Sequence, residues 1–519
     1  MVLRFACLVL AALGMAAPAA AEWSRAVSQH FVIYSDQPPE KLKAYAERLE
    51  AFDQAVRYAR HAADPLPGPA NKLTIYAVED LAAVQRIYGG GGVGGFYLPR
   101  AGDTVAFVPL STSPGSRLDI TPEAVFFHEY AHHLMYQNSS GAIPLWLSEG
   151  FAEFFSTAKF ESDGSIGLGA PAAHRAEILL AKLYAPLPLP LMLGGTYKDL
   201  RHYYLEEVYG RGWLLTHYLT FNAGRKGQLE RYLAAIQQGK PAMQAASDAF
   251  GDLRKLELEL KQYVRSTRFP YVTVPPSKFK VGAVSVERLS QGQGAMIEVV
   301  MQSRRGITEE QAAKLAPFAR RIAAAFPADA VVQAALAEAE LNSKNYDEAI
   351  AAADRALASD PRSVNALLRK GYAQMAKAEK AASAGTDWKP IRSLFLRANK
   401  LDPEDPRPLV GYYETFRTSK AAVPPAALEG LVYAFELAPH DPDVRWTVMR
   451  ELVAQGRGPE AAKALKPLAY APHGGKFAER AQAVLDAVEA GDFTAARQKV
   501  EEADKAQKEA EEKARKKRH

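Results

Sequence analysis

Cysteine is nearly absent: Cys7 is the only one in 519 residues, and it lies in the first segment of the chain. Without it there is no thiol, so a disulfide framework is excluded and misoxidation cannot occur, which suits an oxidising exterior. Long apolar runs are also missing. Past the first segment no stretch reaches the roughly eighteen apolar residues that a membrane-spanning helix needs. Charge of one sign is not in excess. A net charge of +5 from 64 basic and 59 acidic residues implies no nucleic-acid partner. A last absence follows the run Gly89-Gly90-Gly91-Gly92-Val93-Gly94-Gly95-Phe96-Tyr97. No Gly-Lys-Ser/Thr comes after it, so a phosphate-cradling P-loop is excluded.

What is present begins with an address. Residues 1–21 carry Arg4, an apolar core at 5–17 and Ala19-Ala20-Ala21 as a cleavage site, which reads as a signal peptide. The mature chain is then expected in the periplasm of a bacterium or outside the cell. Cys7 would leave with the leader, and it lies too far from the cleavage site to serve as a lipid attachment point.

Two stretches carry the chemistry. In His128-Glu129-Tyr130-Ala131-His132 the histidines stand four apart, so on a helix they share a face and aim at one ion. Glu129 sits beside them, placed to act on a water. Thr121-Pro122-Glu123 reads as an N-cap, a proline at the first helical position and a first-turn acid. Val125, Phe126, His128, Ala131, His132 and Met135 recur at helical spacing. The histidines therefore share a largely buried face, where imidazoles need partners, and a metal supplies one. Further on, the stretch Trp146-Leu147-Ser148-Glu149-Gly150-Phe151-Ala152-Glu153 offers Glu149, separated from His132 by sixteen residues, as a third ligand, making a His2Glu set with one open position. One Zn2+ is the expected cofactor, although this donor set tolerates other divalent ions.

The metzincin extension would need glycine at Met135 and histidine at Asn138, and has neither. The two stretches instead resemble those of the gluzincins, the peptidase MA-like superfamily of thermolysin-like and aminopeptidase N-like enzymes. In the aminopeptidase branch the second motif reads roughly W-L-N-E-G-F-A, matched here except at Ser148. The gap between the motifs is slightly shorter than in that branch. The resemblance implies zinc held by His128, His132 and Glu149, with Glu129 as general base. It also implies an α+β zincin-like catalytic domain with an N-terminal mixed sheet and a helical C-terminal half.

Glu153, one turn past Glu149, is expected to accept a hydrogen bond from a ligand imidazole and fix its tautomer. In a competing assignment Glu153 is the ligand and Glu149 its support. Gly150 between them would let two helices pack closely. Tyr209-Gly210-Arg211-Gly212-Trp213 is similar to the Y-E-K-G stretch of the aminopeptidase branch, which implies that the Tyr209 hydroxyl steadies the oxyanion, an electrophilic role the reaction requires. His202, Tyr203 and Tyr204 are reserves for that role. His133 points to a different face and receives no ligand role.

Zincins commonly hold substrate as an added strand beside an edge strand. By that resemblance the run 95–109 would be the edge, Gly95, Phe96 and Tyr97 would contact substrate, and the glycines would form a flap. A plain hairpin explains the run equally well. The Gly-Ala-Met-Glu-Asn motif, which binds the substrate's free amine in the aminopeptidase branch, is absent upstream, favouring endopeptidase over aminopeptidase action.

Around these motifs, strand patterns at 30–34 and 72–76 and a helical pattern through Leu42, Tyr45, Leu49, Phe52 and Val56 give a catalytic domain over 22–270. A linker with short strands is expected over 271–310. Alanine-rich helices follow over 311–475. Asn345-Tyr346-Asp347-Glu348-Ala349, Ala356 and Asp360-Pro361, with Leu336 and Ala337 before them, resemble a tetratricopeptide repeat (TPR). Phe395, Ala398 and Asp402-Pro403 echo it, and Asp441-Pro442 does so more weakly. The prolines are 42 and then 39 residues apart, against about 34 in the usual repeat, an excess that an insert at 381–390 would supply. An all-α TPR-like domain with a possible protein partner follows. A charged helical tail is expected over 476–519, solvated and fraying from Glu501 onward.

Two function classes emerge. One is a secreted zinc peptidase acting on a peptide or protein substrate. The other is a non-enzymatic envelope scaffold whose repeats bind protein partners and whose zinc site is structural or degenerate.

Overall fold

The computed structural model describes residues 22–90, 93–111, 121–137, 143–195, 197–200, 205–381, 386–470 and 475–516. The expected leader at 1–21, Gly91, Gly92, Asn138, His202, Tyr203, Tyr204, the 382–385 part of the expected insert and the end of the basic tail lie outside these residues.

The N-terminal half begins β1 (Ser24–Val27), β2 (Phe31–Ser35), α1 (Pro39–Arg60), β3 (Leu73–Val78), α2 (Leu81–Tyr88), β4 (Phe96–Leu98), β5 (Val105–Pro109), α3 (Pro122–Gln137) and α4 (Leu145–Ser156). It continues through β6 (Lys159–Phe160), β7 (Ile166–Leu168), the short α5 (Ala176–Ala181), α6 (Leu189–Gly194) and α7 (Tyr197–Leu200), and then α8 (Leu205–Phe221), α9 (Gln228–Gln237), α10 (Ala242–Phe250) and α11 (Leu253–Tyr263). Two strands close it, β8 (Val272–Val274) and β9 (Ser285–Arg288).

Six strands form a mixed sheet in the order β4-β5-β3-β2-β1-β9. β2, β3 and β5 run parallel, while β4, β1 and β9 pair antiparallel with their neighbours. Leu73, Ile75 and Ala77 of β3 enter the core shared with α1 and α3, and Tyr76 and Val78 enter the core shared with α2. With both faces covered, β3 and β5 read as nearly unbroken apolar runs. A second sheet, β6-β7-β8, is small.

The C-terminal half is helical: α12 (Gln291–Arg305), α13 (Glu309–Ala325), α14 (Ala330–Asn342), α15 (Tyr346–Ser359), α16 (Val364–Ala381), α17 (Lys389–Leu401), α18 (Pro406–Thr418), α19 (Pro425–Leu437), α20 (Pro442–Ala454), α21 (Gly458–Ala469), α22 (Gly475–Glu489) and α23 (Phe493–Lys516). Helices adjacent in sequence pack in pairs, and α12, α14, α16 and α18 also touch one another in turn. This is the stacking of a helical repeat array. Among the described residues no helix is long and apolar enough to cross a membrane.

Three expectations change. The segment 271–310 is no linker: β8 completes the small sheet, β9 is an outer strand of the large one, and residues 291–305 are helical. The strand-like Ile297, Val299 and Val300 mislead because Ser290 and Gln293 form a reciprocal capping box that starts α12, and burial of Met296, Ile297 and Val299 outweighs β-propensity. The array therefore begins at α12 rather than at residue 311. At the other end α22 and α23 belong to it as well. Ala496, Val500 and Ala503 are buried, and Trp446 donates to Asp504 at 2.7 Å, so the tail packs through Asp504. The Asp-Pro echoes are also not equivalent. Asp360 and Asp402 close α15 and α17, whereas Asp441 caps the start of α20, as Asp405 caps α18.

Candidate metal centre

α3 is held from behind by the sheet and α1. The Tyr130 ring lies 5.1 Å from that of Phe31, Phe127 stacks on Phe52 at 3.9 Å, and the Tyr130 hydroxyl donates to Asp53 at 2.7 Å. At its first turn Glu123 accepts two N–H groups of Arg48, at 2.7 and 2.9 Å. These contacts fix the rotation of the helix and turn His128 and His132 toward α4.

α4 is buried along its whole length, yet it carries Ser148, Glu149 and Glu153 among its apolar residues. Carboxylates buried this deeply require charged or metal partners. The Glu149 Oε2 lies 3.3 Å from His128 Nε2 and 3.5 Å from His132 Nε2, and the two nitrogens are 3.2 Å apart. A tetrahedral zinc with bonds of about 2.0–2.1 Å separates its donors by about 3.3–3.4 Å. The triangle matches that spacing, so the residues present fit a zinc-sized ion. His128 keeps 14% of its side chain exposed, leaving the centre accessible from that side.

The far nitrogens of both rings are also engaged. His128 Nδ1 stands 3.5 Å from Glu153 Oε1, and His132 Nδ1 lies 3.2 Å from Ser148 Oγ. Both partners direct Nε2 into the triangle, as orientation of ligand imidazoles demands. The Glu153 carboxylate in turn accepts from His174 Nε2 at 2.7 Å and from Arg175 at 2.6 and 3.1 Å. Glu153 thus faces the His128 ring nitrogen opposite the one Glu149 faces.

Electrostatics follow this arrangement. Burial raises the Glu149 carboxyl, but the His132 charge and hydrogen bonds from both histidines hold it well below the usual range. Glu153 is pulled down to about 2 by His174, His128 and Arg175 against the opposing effect of burial. Burial lowers His128, but Glu149, Glu153 and Glu129 together raise it to about 9. Tyr209 on α8 is pushed well above its ordinary value, by burial first and then by the charges of Glu149 and Glu129. It therefore stays a neutral O–H donor at any physiological pH. Its ring sits 5.7 Å from that of His128, with the Arg175 guanidinium 4.8 Å from its face.

The glycines explain how α8 comes so near. A Cβ on Gly150 would stand 2.3 Å from the Gly212 carbonyl oxygen, and one on Gly212 would stand 2.5 Å from that of Trp146. α4 and α8 cross backbone to backbone, and Gly150 and Gly212 are the contact.

The expected substrate strand is partly revised. β4 is the outermost strand of the sheet among the described residues, but β5 lies inside it, so only the beginning of 95–109 is an edge. A Cβ on Gly95 would meet Val125 of α3 at 2.9 Å, so β4 hugs the helix there. Phe96 stacks on Phe107 at 4.7 Å on the opposite face of the sheet, and Tyr97 engages His133 Nδ1 at 2.7 Å. These two side chains are committed to packing; what β4 offers an extended peptide is its backbone.

A second group, His30, Asp53 and Asp64, also has the spacing for a metal. Its neighbours make it an ion-pair network instead. His30 meets Glu50 at 2.8 Å through Nδ1 and Asp64 at 2.8 Å through Nε2, and the Arg57 Nε lies 2.8 Å from Asp53. An imidazole between two carboxylates is an imidazolium. Its pKa rises, burial being outweighed by Glu50 and Asp53, while that of Glu50 falls. The raised His30 stabilises the fold fully below its ordinary 6.5 and loses this as pH climbs through the folded value. The lowered Glu50 contributes fully above 4.5 and loses this as pH falls through its folded value. The expected result is that His30→Asn destabilises most between pH 4.5 and 6.5, by about 3–5 kcal/mol for a broken buried pair. The deficit shrinks in alkali. Thermal unfolding of both proteins at an acidic and an alkaline pH checks this, and a deficit that grows in alkali would refute it.

Sequence reading missed His174, Arg175, the role of Ser148 and this network. His174 and Arg175 lie on a short 3-10 turn, 21 and 22 residues past Glu153, where no helical spacing marks them.

A tetratricopeptide repeat family model matches residues 330–375, which span α14, α15 and most of α16. No curated protein matches the chain. Among solved structures, the crystal structure of a thermophilic TPR protein from Thermus thermophilus aligns with 17% identity over 37% of this chain and 97% of its own, at a TM-score of 0.31. That of the yeast Tom70 aligns with 12% identity over 70% of this chain and 72% of its own, at a TM-score of 0.26. The family match puts a TPR-like repeat at 330–375 within the helical array, and repeats of this type offer surfaces to protein partners.

Proposed function

We propose that this chain is a zinc-dependent peptidase of gluzincin type, working in the periplasm or outside a bacterial cell and favouring internal peptide bonds. One observation carries the reading: three donor atoms, from His128, His132 and Glu149, separated by 3.2, 3.3 and 3.5 Å. When bound, zinc supplies Lewis acidity and brings a water within reach of ionisation near neutral pH. His128, His132 and Glu149 would hold it, with Glu153 and Ser148 keeping the two rings aligned. Glu129, one residue from His128 on the same helix, takes the proton of the attacking water and returns it to the leaving amine. Tyr209, kept protonated by its surroundings, donates to the oxyanion. The outer edge of β4 receives the peptide as an added strand. The pattern at 1–21 supports the proposed compartment.

A second reading is a scaffold whose repeats bind protein partners and whose metal site is structural. The family match at 330–375 favours it, and the comparisons with known proteins lend support to the repeats alone. Against a purely structural site stand Glu129 and Tyr209, which such a site does not need.

The test is metal analysis of the purified chain together with digestion of an unfolded protein, with and without a chelator. We expect about one zinc per chain, as a single His2Glu site implies, and cleavage that the chelator stops. A chain that holds zinc yet cuts nothing across a broad peptide library is the scaffold. One that holds no metal leaves the triangle as an ion-paired cluster.

A further inference from the structure

The tip of the β4–β5 hairpin, residues 99–104, is inserted against the helical array. Arg304 of α12 donates to the Asp103 carboxylate. Arg407 of α18 donates to it at 2.9 Å, and Arg369 of α16 approaches it at 3.6 Å while pairing at 3.2 Å with Glu338 of α14. At the start of α20, Asp441 accepts the Ala101 N–H at 2.6 Å and His440 Nε2 meets the Thr104 hydroxyl at 2.8 Å. Alternate helices from α12 to α20 thus each reach the same turn or its charge cluster. Gly102 has φ +66°, and a Cβ there would stand 2.8 Å from both Asp405 and Arg407, so the turn is shaped to its seat.

We infer that this face of the array is a receptor for an acidic turn, and that its resident ligand is the chain's own Asp103 hairpin. The repeats then serve as a clamp that sets the edge strand of the candidate site, and not as a recruiting surface at this face. Charge supports the assignment. Arg304, Arg369 and Arg407 are balanced by Asp103, Glu338 and Asp405, and the side chains around Asp103 keep less than a fifth of their surface exposed. Without the Asp103 carboxylate one guanidinium would be left poorly solvated and uncompensated. The clamp also reaches the catalytic helix: the His440 ring lies 5.2 Å from that of His133, which Tyr97 of β4 already engages. The bearing on catalysis rests on the peptidase reading, but the docking itself does not.

The experiment is hydrogen exchange on the full chain, which needs neither metal nor cleavage, so the clamp and the peptidase reading can fail separately. Asp103→Asn is expected to speed exchange across 96–109 at least tenfold and to loosen α3 near His133, while α22 and α23 keep their protection. Arg369→Gln should also speed exchange at 96–109, and the double variant should lose less than the sum of the two single ones, since Asp103 and Arg369 belong to one charge network. Unchanged exchange in the hairpin of folded Asp103→Asn overturns the inference, as do additive effects of the two substitutions. If Asp103→Asn fails to fold, His440→Phe decides, because it removes the ring nitrogen that meets the Thr104 hydroxyl and leaves the hairpin's own Thr104–Arg100 bond in place. It should speed hairpin exchange several-fold, and no change would overturn the clamp. A synthetic peptide of sequence 97–106 added at micromolar concentration should not compete with a ligand tethered at an effective millimolar one; faster hairpin exchange on its addition would make this face a partner site.

Discussion

Glu129→Gln keeps its metal and loses cleavage by about 10²–10⁴-fold, the usual contribution of a positioned acid–base group. The substitution preserves side-chain shape and helix propensity, so α3 should stay seated on Phe31, Phe52 and Asp53. The donor triangle uses His128, His132 and Glu149, none of which is altered. What disappears is an ionised oxygen whose charge acts on both His128 and Tyr209. An amide cannot take a proton from water at neutral pH. Zinc stoichiometry and kcat on one peptide, measured on both proteins, check the result together. Wild-type turnover by the variant would remove Glu129 from the mechanism, and loss of zinc would mean that its charge is needed to hold the ion.

Glu149→Ala empties the centre, with metal affinity falling more than 100-fold. The scale comes from comparison: losing a residue that merely orients a ligand costs about 10–100-fold, and Glu149 would supply a ligand atom and the only negative charge in the triangle. The paired imidazoles would stay 3.2 Å apart without the carboxylate that lies between 3.3 and 3.5 Å from them. Titration against a chelating indicator measures the loss. Glu153 cannot stand in, because His174 and Arg175 already occupy it and it faces Nδ1 of His128. Unchanged affinity would show that the ion, if any, sits elsewhere.

Much of the centre was legible in the chain because its parts are local. Two histidines four positions apart share one helical face, and the apolar spacing around them says that this face is buried. Glu149 and Glu153 follow the same rule one helix later. The repeats were legible for a similar reason, since each helix pair repeats a short pattern of small residues and turn signals. The misread segment at 291–305 shows the limit: β-branched residues favoured a strand, while Ser290, Gln293 and burial against α2 and α14 made a helix.

By itself the sequence determined the pairing of His128 with His132, the buried carboxylates one turn apart and the helical character of the second half. Each depends on neighbours within one or two turns, and helix geometry alone relates them. Only the tertiary structure decided that β9 returns to the sheet, that Gly150 lies on Gly212, that His174 and Arg175 hold Glu153 and that Asp103 is gripped by residues 201 to 304 positions away. Those contacts join segments whose separation carries no period, so the chain must be folded before the charges and backbones that complement one another can meet.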